Sequence, residues 1–255
     1  MKRRGILKLL LVACLAPYQA MAAMWNKPAF ETTALEEAFN SLGVNKPAMS
    51  QDIEIIAAER AENGAVVQVE VVSHIPDTES ISIFIAGNPT PLIAHFSMMN
   101  GAQGHVVTRV KMAQTSDIQV VIKAKNQFFT NSKNVMVLED GCSGSDSDRE
   151  FQSSIKMRAK LLAQLTEVKV IIVHPMTTGR SKNSAGETVP AHFIHNINAT
   201  VNGQSVLEMQ CGTGVSKNPY LTFYLKGAKI GDQLMVAWQD NQGLTGQGNV
   251  NIIQG

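Results

Sequence analysis

Short apolar runs separated by turn residues dominate the chain from about residue 66 to its end. Val66–Val72 alternates valine with Gln68 and Glu70 after the turn signal Asn63-Gly64, and predicts a β-strand. Ile81–Ala86, bounded by Gly87-Asn88-Pro89, predicts a second strand and Ile93–Phe96 a third. Val106–Val110, Ile118–Ala124 and Val135–Leu138 complete a first set. The pattern then restarts with Ile155–Leu161, Glu167–Val173, Phe193–Val201, Ser205–Met209, Leu221–Leu225, Gln233–Gln239 and Gln247–Ile253. Asn202-Gly203 between two of these is a hairpin signal. One stretch differs: Leu35, Ala38, Phe39 and Leu42 recur at helical spacing and Gly43 supplies a stop, so a short helix is expected over 34–42.

Two sets of short strands at turn-separated intervals, with almost no helix, indicate an all-β protein of two antiparallel β-sandwich domains. The 255 residues suit two such units, each of just over 100 residues. Between them, residues 140–149 read Asp-Gly-Cys-Ser-Gly-Ser-Asp-Ser-Asp-Arg and contain no bulky apolar side chain, which is the composition of a linker. The expected boundaries are 23–138 for the first domain with its helix, 139–154 for the linker and 155–255 for the second domain.

The first 22 residues read differently. Lys2, Arg3, Arg4 and Lys8 precede an apolar core over Leu9–Ala16, and Ala20-Met21-Ala22 offers small residues for signal peptidase. Residues 1–22 are therefore expected to be an export signal. The Arg3-Arg4 pair fits a Tat route and the overall design a Sec route. Leu11-Val12-Ala13-Cys14 also looks like a lipoprotein box, although more apolar residues and an alanine-rich cleavage site follow it. Removing this segment leaves 18 basic residues against 21 acidic ones, a net charge of −3 with no nucleic-acid footprint. No window of the mature chain approaches the roughly 20 apolar residues of a membrane-spanning helix.

Export would leave Cys142 and Cys211 in a compartment that permits disulfides. Cys142 stands among small and polar residues in the linker, unlike a cysteine retained for packing. Gly141 and Gly144 keep the backbone slim there, so a thiol on this segment suits entry into a narrow cleft of a partner. The alternatives are an incidental linker cysteine or a disulfide with Cys211, a possible redox partner in Gln210-Cys211-Gly212. His192 and His195, three apart on a strand, should point to opposite faces, so no metal site is expected. His174 before Pro175 suits a strand end, and Met98, Met99 and Met112 suit core or rim filling. Met176–Pro190 reads as a long polar loop. No phosphate loop, dinucleotide fingerprint or nucleophile elbow is present, so nucleotide and serine-hydrolase chemistry have no support; no cofactor is expected.

Several stretches carry a family resemblance. Ala61–Val67, Ile83, Asn88-Pro89, Ala94-His95-Phe96 and Thr108-Arg109-Val110 resemble SoxY, the carrier subunit of bacterial sulfur-compound oxidation. His174-Pro175-Met176 with Gly179, Asn218-Pro219-Tyr220-Leu221 and Trp238-Gln239-Asp240 resemble its partner SoxZ. The order of the matches resembles the fused SoxY–SoxZ carrier found beside quinoprotein dehydrogenases. The resemblance implies two immunoglobulin-like domains and a periplasmic, non-enzymatic carrier. Its cysteine would hold a sulfur-compound intermediate for partner redox enzymes, Sox-type cytochromes or a quinoprotein dehydrogenase. That role would fall on Cys142 with Gly141 and Gly144. Asp140 and Ser143 depart from the glycines of the family's arm, and the arm is internal here rather than C-terminal. The alternative from a different class is a non-covalent docking module for an exported quinoprotein or cytochrome system.

Overall fold

The computed structural model describes residues 24–139, 152–183 and 185–255. The export-signal expectation for 1–22, Cys14 included, and the arm residues Gly141, Cys142 and Gly144 lie outside them. Among the described residues no helix is long and apolar enough to cross a membrane.

The first half holds α1 (Lys27–Glu31), α2 (Leu35–Ser41) and nine strands. These are β1 (Ala48–Met49), β2 (Ile53–Ala57), β3 (Arg60–Ala61), β4 (Val67–Ser73), β5 (Thr78–Ile85), β6 (Leu92–Met98), β7 (Ala102–Val110), β8 (Ser116–Ala124) and β9 (Gln127–Val137). The second half adds β10 (Ser154–Leu162), β11 (Leu165–Val173), β12 (Ile194–Val201), β13 (Gln204–Cys211), β14 (Tyr220–Lys226), β15 (Gln233–Asp240), β16 (Thr245–Asn251) and β17 (Ile253–Gln254). The protein is mostly β, with two immunoglobulin-like halves as expected.

Each half contributes strands to both layers, and the layers run on across the boundary. One sheet has the order β1-β9-β8-β5-β6-β13-β12-β15-β16, with β3 also on β9; the other runs β17-β10-β11-β14-β7-β4-β2. The seams are β6 with β13, where Ala94 faces Cys211 and Phe96 faces Met209, and β7 with β14, where Val106 faces Phe223. The two sandwiches therefore merge edge to edge over one shared core. Ile81, Phe96, Val106 and Ile122 from the first half and Ile197, Met209, Leu221 and Phe223 from the second belong to the same buried cluster. Pairing consumes the edges of β6, β7, β13 and β14 that the separated halves would expose.

Alternation explains most of the elements. In β4, Val67, Val69 and Val71 are buried and Gln68 is exposed, the period of two that a half-buried strand requires. Asn202 and Gly203 both take positive φ at the β12–β13 hairpin, as this dipeptide favours. Lys125 and Asn126 do the same between β8 and β9, so β9 begins at Gln127 and is far longer than the expected Val135–Leu138. The helix expected over 34–42 is α2. The N-terminal segment also crosses the seam. Trp25 stacks on Phe30 and donates from Nε1 to the Cys211 carbonyl oxygen at 3.1 Å, while the Asn26 N–H donates to Gln210 Oε1 at 3.0 Å.

Candidate functional site

The strand directions bring the two ends of the cysteine-bearing segment to one end of the double sheet. Just past β9, the Leu138 N–H donates to the Ala61 carbonyl oxygen, and the Glu139 carbonyl oxygen accepts the Gly64 N–H at 2.9 Å. β10 starts with Ser154 opposite Val173, the last residue of β11. β7, β13 and β15 also finish here, at Val110, Cys211 and Asp240.

A chain of contacts links the two points. Gly64 accepts the Met112 N–H, and the Lys111 N–H donates to the Gly214 carbonyl oxygen at 2.7 Å. The Lys111 ammonium is buried and donates to the carbonyl oxygens of Met176 and, at 3.2 Å, Thr213. Acceptors around it offset part of the cost of taking a charge from water. Met176 is itself fully buried, so the Met176–Pro190 stretch is not simply a solvated loop. Thr177 pairs with His192 and Lys182 with Thr188, folding the stretch back on itself.

Beyond Met176 lies a buried polar junction. Asp240 Oδ2 accepts from His192 Nε2 at 2.8 Å and from His174 Nε2 at 3.3 Å, while Oδ1 accepts the N–H groups of Gln242 and Leu244. Burial alone would raise the Asp240 carboxyl, but these hydrogen bonds hold it below the usual carboxylate range. Burial pushes His174 down to about 4, against its hydrogen bond to Asp240. Trp238 closes the junction edge-on against the His174 ring.

His174, His192 and Asp240 place ligand-type atoms within 4.8 Å of one another, so a metal ion has to be weighed. A ligating histidine usually donates its second ring N–H to an acceptor. Here His174 Nδ1 instead accepts the Met176 N–H at 3.2 Å, which puts the ring proton on Nε2, facing Asp240. A metal at Nε2 would displace that proton and leave two donors at Nδ1. The arrangement suits a hydrogen-bonded brace better than a cation cage. His192 precedes β12 rather than lying on it, so the strand spacing expected for His192 and His195 does not apply; the His195 ring lies 5.6 Å from the Trp25 ring.

Cys211 ends β13 inside the shared core, fully buried and a free thiol, and burial pushes its pKa far up. A neutral thiol is neither nucleophile nor metal ligand. Met112 fills the core and Met98 packs against its rim, within the core-or-rim expectation. Spacing along the chain did not reveal two further features: the junction itself and the pair Ser82–His95. Ser82 Oγ lies 2.8 Å from His95 Nδ1 across the β5–β6 pairing, on the floor of a cavity of about 360 Å³. Both arise from cross-strand contacts between residues distant in sequence.

The family description "Sulfur oxidation protein SoxY" matches residues 39–142, ending on Cys142, and "Sulphur oxidation protein SoxZ" matches residues 155–251. A solved structure, the sulfur carrier protein SoxY from Chlorobium limicola f thiosulfatophilum, is 34% identical, over 44% of this chain and 99% of its own, with a TM-score of 0.39. The chain belongs to the SoxY and SoxZ families, fused in that order. A beta-glycosidase from Bacteroides vulgatus (8% identity, 85% of this chain and 26% of that one, TM-score 0.26) also aligns with the SoxY–SoxZ chain. So does a glycosyl hydrolase family 2 member from Bacteroides cellulosilyticus DSM 14838 (12% identity, 78% and 28%, TM-score 0.25). No curated protein matches the SoxY–SoxZ fusion.

Proposed function

We propose that this SoxY–SoxZ fusion is a periplasmic, non-enzymatic carrier that holds a sulfur-compound intermediate covalently on Cys142 and presents it to partner redox enzymes. The observation that carries the reading is the SoxY match running as far as Cys142, with the SoxZ match resuming at residue 155. The placement of the anchors supports it: Glu139, three residues before Cys142 in sequence, and Ser154 stand at the same end of a double sheet braced by Lys111 and Asp240. A partner active site approaching that end meets a fixed platform.

The chemistry asked of Cys142 is S–S bond formation with a sulfur compound. The thiol gives up its proton and the pair of sulfurs gives up two electrons, which a partner redox protein accepts. Sox-type cytochromes or a quinoprotein dehydrogenase are the partners proposed. Asp140 and Ser143 make the arm bulkier and more acidic than an all-glycine one, which favours a wide or basic cleft in the partner. Residues 1–22 are proposed as the export signal, and 139–154 as the segment joining the domains 23–138 and 155–255.

Intact-mass analysis after incubation with sulfur substrates and the partner redox proteins tests the reading. An adduct on the wild type that is absent from Cys142→Ser is expected. If Cys142→Ser supports sulfur oxidation as well as the wild type does, the carrier role falls and a docking module replaces it.

A further inference from the structure

The outer face of the seven-stranded sheet carries a charge gradient from one edge to the other. On β10 and β11 the outward positions are Lys156, Arg158 and Lys160, then Glu167, Lys169 and Ile171. Glu167 is the one acid among them and is bracketed by Arg158 at 3.9 Å and Lys169 at 2.9 Å. On β2 and β4 the outward positions are Glu54, Ile56, Gln68 and Glu70. Glu62 joins Ile56, Val66 and Glu70 there around an apolar groove of about 480 Å³. One edge is thus basic and the other acidic. Between them the Arg109 guanidinium lies 4.7 Å over the Tyr220 ring, and His105 stacks on Tyr224.

We propose that this face pairs with the same face of a second copy around a two-fold axis parallel to the strands and lying above β14, between the two faces. In the order β17-β10-β11-β14-β7-β4-β2, β14 is the middle strand, so such a rotation lays β10 over β4 and β11 over β7. The registers then decide which side chains meet. Glu70 pairs with Val107, Val107 with Thr222, Thr222 with Lys169 and Lys169 with Arg158, so Glu70 and Arg158 lie on one row across the sheet. The rotation puts Glu70 against the second copy's Arg158. It also puts His105 against the second copy's Glu167 and brings Tyr220 to its own equivalent. Glu54, on the outermost strand, comes beside the second copy's Lys160. An isologous interface of this kind needs self-complementarity, and opposite charges at the two ends of one face provide it.

The size also fits. Seven strands about 4.8 Å apart, averaging about 23 Å long, present roughly 770 Å² per copy, close to the ~800 Å² per partner of a stable complex. Exposed Ile56 at the edge and Ile171 beside the middle strand add apolar surface to the face.

Sedimentation of the mature chain under reducing conditions, in a Cys142→Ser background so that no disulfide joins copies, tests this. A dimer is expected at tens of micromolar in low salt, dissociating as salt shortens the screening length. Arg158→Glu with Lys160→Glu should lower the association constant at least about tenfold, because like charges then meet at both ends. Adding Glu54→Lys and Glu70→Lys to that variant exchanges the two ends and should restore association. Circular dichroism and melting confirm that each variant is folded. The salt titration on the unaltered face gives a reading that needs no substitution there. A chain that stays monomeric in low salt, a dimer indifferent to salt, or a four-fold variant that fails to recover while folded overturns the proposal.

Discussion

The buried Lys111 ammonium, on the SoxY side of the seam, donates to the Met176 carbonyl oxygen on the SoxZ side. Its second acceptor here, the Thr213 carbonyl oxygen, also belongs to the SoxZ half. Replacing Lys111 with Met keeps the length of the side chain but leaves these carbonyls without that donor. A loss of about 1–3 kcal/mol is expected, the cost of buried acceptors left unpaired. Denaturant melts of Lys111→Met measure it. Wild-type stability in the variant would mean that water or a neighbour replaces the ammonium at no cost.

Asp240 carries two imidazole N–H groups on one oxygen and two backbone N–H groups on the other. Asp240→Asn turns one acceptor group into a donor facing donors, and a drop of several kcal/mol is expected from breaking a buried, charged network. Added zinc should leave the melting temperature of the wild type unchanged, because the His174 proton sits where a metal would bind. A rise in melting temperature with zinc that disappears in His192→Ala would reassign the junction as a metal site.

The two-layer, two-unit character of the fold was legible because strand alternation is a local signal: Val67, Val69 and Val71 announce their face without help from the rest of the chain. The merging of the sheets was not. Nothing in Ala94 or Cys211 says that they will face each other across a seam, since pairing partners depend on which edges remain open. β2 was missed although Ile53 and Ile55 alternate with Glu54, because five residues make a faint pattern. α1 is a five-residue helix held by the Asn26 cap and by packing of Phe30, not by periodicity. Among the candidate residues, Cys142 stood out by its unusual neighbours in the sequence. Asp240 did not, because its partners lie 48 and 66 residues away.

Acid should loosen the protein through its buried histidines. Burial pushes both His174 and His95 from 6.5 down to about 4. Between pH 6.5 and 4 each is protonated in the unfolded chain and neutral in the folded one, so unfolding takes up protons and acid favours it. Stability is fully present above pH 6.5 and falls toward pH 4, with a slope of up to about 1.4 kcal/mol per pH unit from His174. Asp240, held below 3.8, adds a further loss at still lower pH. His174→Gln keeps a donor toward Asp240 but cannot titrate. Chemical melts at pH 7 and pH 5 should therefore differ less for this variant than for the wild type. An equal difference would place the acid sensitivity elsewhere.

Cys211 is fully buried, and its thiol is kept neutral. A thiol reagent added to the native, reduced protein should leave Cys211 unlabelled until denaturant is present, while Cys142 reacts. Peptide mapping distinguishes the two. Rapid labelling of Cys211 in the native state would show that the end of β13 opens readily, and would favour it as a redox partner for Cys142.

The merged sheets predict what cutting the chain does. Proteolysis between Glu139 and Gln152 severs the covalent link between the halves but leaves β6 hydrogen-bonded to β13 and β7 to β14. The core beneath both seams is common to the halves, with Phe96 and Val106 on one side and Met209 and Phe223 on the other. An interface that continues a hydrophobic core has the character of an obligate one, and such interfaces persist at low concentration. The nicked protein should therefore elute as a single particle containing both fragments, and separate only when denaturant unfolds it. The SoxY half expressed alone would instead expose the edges of β6 and β7 and should self-associate or precipitate. Fragments that part on simple dilution after nicking would show that the linker, and not the shared sheets, holds the two halves together.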